Sequence, residues 1–368
     1  MPHTHPHSLI RDPDTLARTV EAWSASPVLA IDTEFVRVDT YYPKLCLIQV
    51  RDERTTALID TTALADLGPA LDALYAPGHV KLFHAPSQDL EILVRLRGAC
   101  PQPLFDTQIA ATLLGLGDQI GYAGLIEKRL GITLDKSLSR TDWSRRPLSA
   151  AELAYAAADV EHLAEIFPSL QAELATRDRL TWLAEDCARL CDPEHYVTRP
   201  DDAWQRLRGL ARLPAREQTV AVALATWRET EAQQRDRPRK WIIDDEPLYR
   251  LAQRQPQTTS ELSALDVLPP KTLARHSEAL LATIAAARTL PEQFYVRDED
   301  LDSTGKALLK QLQGAVMTRA EQLGIPASFV APKAELLRLV HAGGDAPVNV
   351  LAGWRREVCG RSLLELLP

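Results

Sequence analysis

The sequence predicts an α/β domain, with a mixed sheet flanked by helices, followed by an all-helical region. Three observations support this prediction. Apolar strand-like runs alternate with helical periods up to about residue 190, which is typical of an α/β sheet domain. After about residue 200 the strand signals disappear, and helical stretches are separated by prolines. Part of this second region repeats along the chain, and a length of 368 residues suits two or three domains.

The first half begins its regular structure with a continuous apolar run at 28–31, as in a strand covered on both faces. The further strand signals are a hairpin formed by 45–50 and 56–60, and a short strand at 80–84. Helical periods lie near 63–75, 87–97, 106–115, 122–130 and 150–175. This order of elements predicts a domain of mixed topology ending near residue 190.

The second half contains a repeat. Helical stretches lie near 201–211, 215–235, 246–254, 259–265, 271–288, 303–323, 332–341, 347–356 and 361–367. The segment that starts at Pro238 aligns without a gap with the segment that starts at Pro326, 88 residues later. Trp241 aligns with Phe329, and a Leu-x-Arg-Leu helix follows each aromatic residue. Two copies of one helical domain, about 201–288 and 291–368, are expected.

Composition limits the cellular setting. No apolar run is long enough to cross a membrane, and residues 1–12 lack the apolar core of a signal peptide, so a flexible leader is expected. The five cysteines are sparse and odd in number, which favours reduced thiols in the cytoplasm. The formal net charge is −8, yet 204–240 carries 9 basic and 4 acidic residues, so a polyanion could bind there.

Two carboxylates end the first apolar run. Asp32 and Glu34 are separated by one residue in a strand, so their side chains point to the same face. Oxygen ligands of this kind favour a hard cation such as Mg²⁺ or Mn²⁺. Asp-x-Glu is a common pattern, and two solvated acids at a strand end are the structural alternative.

Asp89 lies in the first turn of a helix expected to begin at Ser87. The helix dipole favours a carboxylate at this position, so helix stabilisation alone could account for it. Asp89 becomes informative only if a second metal ion needs a ligand opposite Asp32.

A capping box, with Ser149 as N-cap and Glu152 three residues later, predicts the start of a long helix. Tyr155 and Asp159 are four residues apart, hence neighbours on one flank of it. Ordinary packing often supplies a tyrosine and an acid at such positions. Four acids and a tyrosine in this order are rarer, and are the set that two-metal phosphodiester hydrolysis needs.

These elements resemble the motifs of the DEDD superfamily of 3′-5′ exonucleases, in the subclass with tyrosine in the third motif. Additional segments, Tyr41-Tyr42-Pro43, Asp106-Thr107-Gln108 and Thr133 to Trp143, are similar to the ribonuclease D family within it. The two helical copies resemble HRDC domains. The implied organisation is a leader at 1–12, an exonuclease domain at 13–190, a first HRDC domain at 200–288 and a divergent second one at 291–368.

The resemblance implies a ribonuclease H-like fold and a 3′-5′ exoribonuclease. Asp32, Glu34 and Asp159 would hold one Mg²⁺ or Mn²⁺ ion, and Asp32 with Asp89 would help to hold a second. Tyr155 would position the attacking water. The expected substrate is RNA, chiefly tRNA precursors with 3′ extensions, and the product a nucleoside 5′-monophosphate. No membrane association and no obligate protein partner are expected.

RNA contacts are expected from residues that flank the motifs or lie in the basic helical segment: Phe35, Tyr41, His84, Lys136, Arg140, Arg145, Arg146, Arg237, Arg239 and Lys240. Core packing of the aromatic and histidine residues, or solvation of the basic ones, is the alternative in each case. Two other functions remain open at this point. One is a DNA-directed 3′-5′ exonuclease, and the other is a catalytically inactive RNA-binding protein.

Overall fold

The computed structural model describes residues 7–135, 137–295 and 301–368, and they form two compact units. Unit 1 contains residues 7–36, 45–196 and 301–368. Unit 2 contains residues 37–44 and 197–295. A mixed sheet with flanking helices lies in unit 1 and unit 2 is helical, which confirms the predicted fold class. Lys136 lies outside the described residues.

One six-stranded sheet forms the centre of unit 1. Its strands are β1 (His7–Ile10), β2 (Val28–Val36), β3 (Lys44–Arg51), β4 (Thr56–Asp60), β5 (Val80–Phe83) and β6 (Leu104–Asp106). Their order is β1-β4-β3-β2-β5-β6. β3 pairs antiparallel with β4, whereas β1 with β4, β2 with β5 and β5 with β6 are parallel. Because β2 lies inside the sheet, neighbours on both sides hold the strand that carries Asp32 and Glu34.

The prediction of a flexible leader at 1–12 is wrong for residues 7–12, which are ordered parts of the fold. His7–Ile10 forms the edge strand β1 and pairs in register with β4, from His7 opposite Thr56 to Ile10 opposite Ile59. Ile10 is fully buried. Asp12 then caps the next helix by accepting a hydrogen bond from the amide of Thr15 at 2.9 Å. Residues 7–12 therefore belong to the fold of unit 1.

The described residues up to 196 contain seven α-helices: α1 (Pro13–Trp23), α2 (Gly68–Tyr75), α3 (Ser87–Arg97), α4 (Thr107–Leu113), α5 (Tyr122–Leu130), α6 (Ala150–Thr176) and α7 (Leu180–Leu190). The helix α6 packs on the sheet through small residues, because Ala156 and Ala157 share a buried cluster with Leu47 and Leu58. Small side chains allow α6 to approach the strands closely. The flank with Tyr155 and Asp159 is thereby brought to the sheet.

The helical repeat has the register that the sequence predicts. The first copy contains α8 (Ala215–Arg235), α9 (Arg239–Ile242) and α10 (Asp245–Arg254), followed by α11 (Thr259–Ala264) and α12 (Pro270–Thr289). The second copy contains α13 (Ser303–Leu323), α14 (Ala327–Val330) and α15 (Lys333–Ala342). Each of the first three helices starts and ends 88 residues before its counterpart. After α15 the second copy diverges into short helical turns up to Leu364, and 200–212 forms 3₁₀ turns rather than the predicted helix.

The second copy folds with unit 1 rather than as the separate domain predicted at 291–368. The indole rings of Trp354 and Trp182 stack with centroids 4.5 Å apart and planes at 5°. Arg355 donates to both carboxylate oxygens of buried Asp186, at 2.5 and 3.1 Å. Leu312, Val316 and other apolar residues of the second copy share one core with the sheet. Removing this copy would therefore expose the core of unit 1.

The second difference from the predicted boundaries is that Arg37–Lys44, the connection from β2 to β3, belongs to unit 2. Here Tyr41 is buried. Its hydroxyl donates to Glu229, and its amide donates to Asp236 at 3.0 Å. The guanidinium of Arg239 donates to Glu229 at 2.7 Å, so the loop and the first helical copy form one polar cluster.

Two further expectations concern the whole chain. All five cysteines are buried, and none of them forms a disulfide among the described residues. Among the described residues, none of the helices combines the length and the apolar character that crossing a membrane would require.

Candidate active site

Three carboxylates from two elements converge at the interior strand β2. Asp32 and Glu34 come from β2, and Asp159 comes from α6. Each offers an oxygen such that the three ligand atoms lie within 4.8 Å of one another. The side chains are partly buried. Residues separated by more than 120 positions of chain therefore meet because α6 packs on the sheet.

Asp89 is held beside this group. It lies in the first turn of α3 and is buried. The hydroxyl of Thr33 donates a hydrogen bond to its Oδ1 at 2.5 Å. Its charge also raises the pKa of Asp32. Asp89 is thus adjacent to the three-carboxylate group without belonging to it.

Burial and mutual repulsion dominate the electrostatics. Burial, with the charges of Asp159 and Asp89, raises the pKa of Glu34 to about 9. Burial raises the pKa of Asp159 to about 7. Burial and the neighbouring carboxylates Asp89, Asp159 and Glu34 raise the pKa of Asp32 well above its ordinary value. Without a cation, the folded protein would therefore keep protons on this group at neutral pH.

The donor set fits a divalent cation. Carboxylate oxygens are the ligands that Mg²⁺ and Mn²⁺ prefer. In the part of the chain that the structure describes, no lysine or arginine forms an ion pair with Asp32, Glu34 or Asp159. Buried acids without a basic partner are costly, and a metal ion would offset that cost. The residues that would hold it are the ones predicted from the sequence.

Tyr155 lies one helical turn before Asp159 on the same flank of α6. Its ring lies against buried Trp143, with centroids 6.1 Å apart. Burial and the charges of Asp159 and Glu34 raise the pKa of the phenol. The hydroxyl is therefore neutral over the physiological range and can donate or accept a hydrogen bond.

The start of α6 is fixed by polar contacts. Glu152 accepts from the amide of Ser149 at 2.6 Å, and the Ser149 hydroxyl accepts from the amide of Glu152 at 3.2 Å, so the predicted capping box is confirmed. Arg145 donates to Glu152 at 2.7 Å. Arg146 donates to both oxygens of buried Asp60, at 2.6 and 2.7 Å. Both arginines, expected to contact RNA, hold α6 and its preceding loop in place.

Other residues expected to contact RNA fall into distinct settings. Phe35 is half-buried on β2, and Arg140 is exposed in unit 1. Buried Tyr41 has no free face for a base in this structure. Arg239 is engaged by Glu229, whereas Arg237 and Lys240 are exposed in unit 2.

Tyr122 also lies beside the carboxylates, although it was not identified from the sequence. Tyr122, from α5, donates to the carbonyl of Ala158 at 2.6 Å. Burial raises the pKa of its phenol, and the charges of Asp159 and Asp32 raise it further. Its ring lies edge-on to His84, centroids 5.7 Å apart. Burial lowers the pKa of His84 to about 4, so this histidine is neutral. The sequence predicts the helix that carries Tyr122 but not the contact of Tyr122 with α6.

Comparisons with known proteins identify the family of this chain. A family model for a 3′-5′ exonuclease matches residues 8–175, and an HRDC domain model matches residues 217–284. Ribonuclease D of Sphingobium indicum is 40% identical, covering 98% of this chain and 94% of the relative. Ribonuclease D of Pseudomonas paraeruginosa is 38% identical, covering 97% and 96%. The crystal structure of Escherichia coli RNase D, an exoribonuclease involved in structured RNA processing, matches with a TM-score of 0.90 at 33% identity over 98% of both chains.

The two alignments cover almost the full length of this chain and of each relative, so the similarity is not confined to one shared domain. The structural match likewise includes both the sheet and the helical region. The chain therefore belongs to the ribonuclease D family and is a 3′-5′ exoribonuclease.

Proposed function

We propose that the protein hydrolyses the 3′-terminal phosphodiester of RNA with two divalent cations held by Asp32, Glu34, Asp89 and Asp159. The observation that carries this proposal is the convergence of three carboxylates within 4.8 Å without a basic partner among the described residues. When bound, the cations supply charge stabilisation and lower the pKa of water. Asp32, Glu34 and Asp159 would hold one ion, and Asp32 with Asp89 would hold the other.

Tyr155 acts as a positioning residue for the attacking water. Its raised pKa keeps the proton on the phenol, so the residue is a hydrogen-bond partner rather than a general base. The ring contact with Trp143 limits the orientations of the side chain. A fixed hydroxyl that orients the nucleophile contributes through proximity and alignment.

The product is a nucleoside 5′-monophosphate, because the 3′-oxygen of the preceding nucleotide is the leaving group. Half-buried Phe35 and exposed Arg140 in unit 1 would contact the terminal nucleotides. The substrate class is structured RNA, chiefly tRNA precursors with 3′ extensions. The similar E. coli enzyme is described as an exoribonuclease involved in structured RNA processing, which supports this choice.

Two alternatives lead to different observations. A DNA-directed exonuclease would release deoxynucleotides from a matched DNA strand at least as fast as from RNA. A catalytically inactive RNA-binding protein would release none. The presence of all four acids and Tyr155 in one neighbourhood favours an active enzyme.

The proposal is tested by incubating the full chain with a 3′-extended tRNA and Mg²⁺ or Mn²⁺ and identifying the products. Stepwise shortening to the mature end with release of 5′-monophosphates is expected. A chelator should abolish the release. The double substitution Asp32→Asn with Asp159→Asn should abolish it while leaving RNA binding in place. Release by the double variant at the parental rate would contradict the site assignment.

A further inference from the structure

The short helices α9 and α14 carry an aromatic residue at their third position, Trp241 in the first copy and Phe329 in the second. In the second copy this position is covered. The Trp354 ring lies 6.2 Å from the Phe329 ring at an angle of 28°, and the Arg355 guanidinium lies 4.9 Å from it. The fold of the repeat therefore presents an aromatic face that accepts a flat ring and a planar cation.

In the first copy the same position is open. The Trp241 side chain is 58% exposed. Trp354 and Arg355 belong to the part of the second copy that diverges after α15. Arg237 is the cation found near the indole, 5.8 Å from its centroid.

The surroundings of Trp241 suit a polyanion. Arg237 and Lys240 are exposed beside it. Arg237 donates to the backbone carbonyl of Asp39 at 2.9 Å and pairs with its exposed carboxylate at 3.4 Å, both through the same nitrogen. An exposed ion pair of this kind contributes little, and the other nitrogens of the guanidinium can donate to a phosphate. Arg239 is held by Glu229 and shapes the turn instead. The segment 204–240 carries 9 basic and 4 acidic residues.

We propose that Trp241 is a stacking platform for an unpaired base of the bound RNA, with Arg237 and Lys240 contacting the adjacent phosphates. This inference rests on the proposed function, since it assumes an RNA ligand. Every base has a π-face, so stacking on an indole tolerates any sequence. Unpaired bases can be splayed out onto aromatic side chains, whereas paired ones cannot. The site would therefore hold single-stranded RNA without reading its bases.

The test is equilibrium binding of a 12-nucleotide fluorescent RNA to the full chain carrying Asp32→Asn and Asp159→Asn, so that cleavage does not interfere. Trp241→Ala on this background should weaken binding at least about five-fold, the lower bound for loss of one stacked base. Trp241→Phe keeps an aromatic face and should stay within about two-fold. Phe294→Ala is the control, because Phe294 is also an exposed aromatic residue of unit 2, at 50%, and it should bind as the parent does.

An abasic strand of the same length distinguishes stacking from phosphate contact. Trp241→Ala should leave the affinity for this strand unchanged. The double substitution Arg237→Gln with Lys240→Gln should instead weaken both strands and reduce the salt dependence of binding, by about 0.7 in log-log slope for each lost phosphate contact. Circular dichroism confirms folding of each variant.

Equal affinity of Trp241→Ala and the parent for the normal strand would overturn the inference and would leave contact with a protein as the role of the exposed indole. Equal loss on the normal and abasic strands would overturn it too. Failure of the proposed function is read separately, as absence of nucleotide release by the unsubstituted enzyme.

Discussion

The Thr33 hydroxyl donates a hydrogen bond of 2.5 Å to Oδ1 of Asp89. Thr33 lies between Asp32 and Glu34 on β2 and is itself buried. Burial raises the pKa of Asp89 and the Thr33 bond lowers it, and burial is the larger effect, so the pKa is raised to about 6. One residue of the central strand thus fixes both the position and the ionisation of a carboxylate on α3.

Thr33→Val should weaken metal activation. Valine keeps the shape of threonine but leaves the buried carboxylate without its donor, at a cost of about 1–3 kcal/mol. The Mn²⁺ concentration for half-maximal nucleotide release is therefore expected to rise about ten-fold. Thr33→Ser restores the hydroxyl and should behave nearly as the parent. An unchanged metal requirement in Thr33→Val would show that this bond does not tune the site.

The metal-free protein should lose stability as pH rises. The pKa of Glu34 is about 9 and that of Asp159 about 7 in the folded state, above their ordinary values of 4.5 and 3.8. Between about pH 4 and pH 9 the folded state then binds more protons than the unfolded one, so this group contributes less stability at each higher pH. Mn²⁺ replaces those protons.

Thermal unfolding at pH 5.5 and pH 8 measures this linkage. Adding Mn²⁺ is expected to raise Tm more at pH 8 than at pH 5.5. Asp159→Asn removes one ionisable group and should reduce the difference while raising the metal-free stability at pH 8 by about 1 kcal/mol or more, the worth of one pKa unit. A Mn²⁺ effect equal at both pH values would contradict the assignment of the raised pKa values to metal ligands.

Tyr155→Phe should lower kcat by about 100-fold, the scale on which a misplaced reactant slows an enzyme. The KM for a short RNA should stay the same, because the hydroxyl orients water rather than substrate. The pH profile of the parent should show no limb from the phenol below pH 10, since burial raises its pKa. A fall in kcat matched by an equal rise in KM would indicate a role in RNA binding instead.

Arg355→Met should destabilise unit 1 although it lies far along the chain from the sheet. It breaks the buried pair with Asp186 at a cost of about 3 kcal/mol, the low end for such a pair, because Arg189 still reaches Asp186. Arg356→Met, at the exposed neighbour, is the matched control and should change the free energy of unfolding by less than about 0.5 kcal/mol. Denaturant unfolding separates the two outcomes.

The sequence predicted much of the fold where local signals are strong. The apolar run at 28–31 predicts a buried strand. Element ends are predicted by the capping box at Ser149 and by the prolines Pro238 and Pro326, because these residues act directly on the backbone. The 88-residue register of the helical copies was therefore predictable. The pairing of Asp32 with Glu34 and of Tyr155 with Asp159 was predictable because strand and helix periodicities determine which side chains share a face. That the two pairs would meet was expected only from the family resemblance.

What the sequence could not predict depends on tertiary contacts. The strand β1 is four residues long and is stabilised by pairing with β4. No local sequence pattern predicts this pairing. The apolar stripe of α13 shows that the helix is packed but not against which part of the chain, so the inclusion of the second copy in unit 1 was not predicted. Thr33 and Tyr122 enter the site through contacts with Asp89 and Ala158 from other elements.

The central claim is that Asp32, Glu34 and Asp159 hold metal ions together. Electron paramagnetic resonance of added Mn²⁺, which reports free ion, tests it most directly, with a nucleoside 5′-monophosphate present to complete the site. The parent is expected to bind two ions per chain, and the variant with Asp32→Asn and Asp159→Asn to lose them while remaining folded. Binding of the same number of ions with the same affinity by this variant would contradict the account.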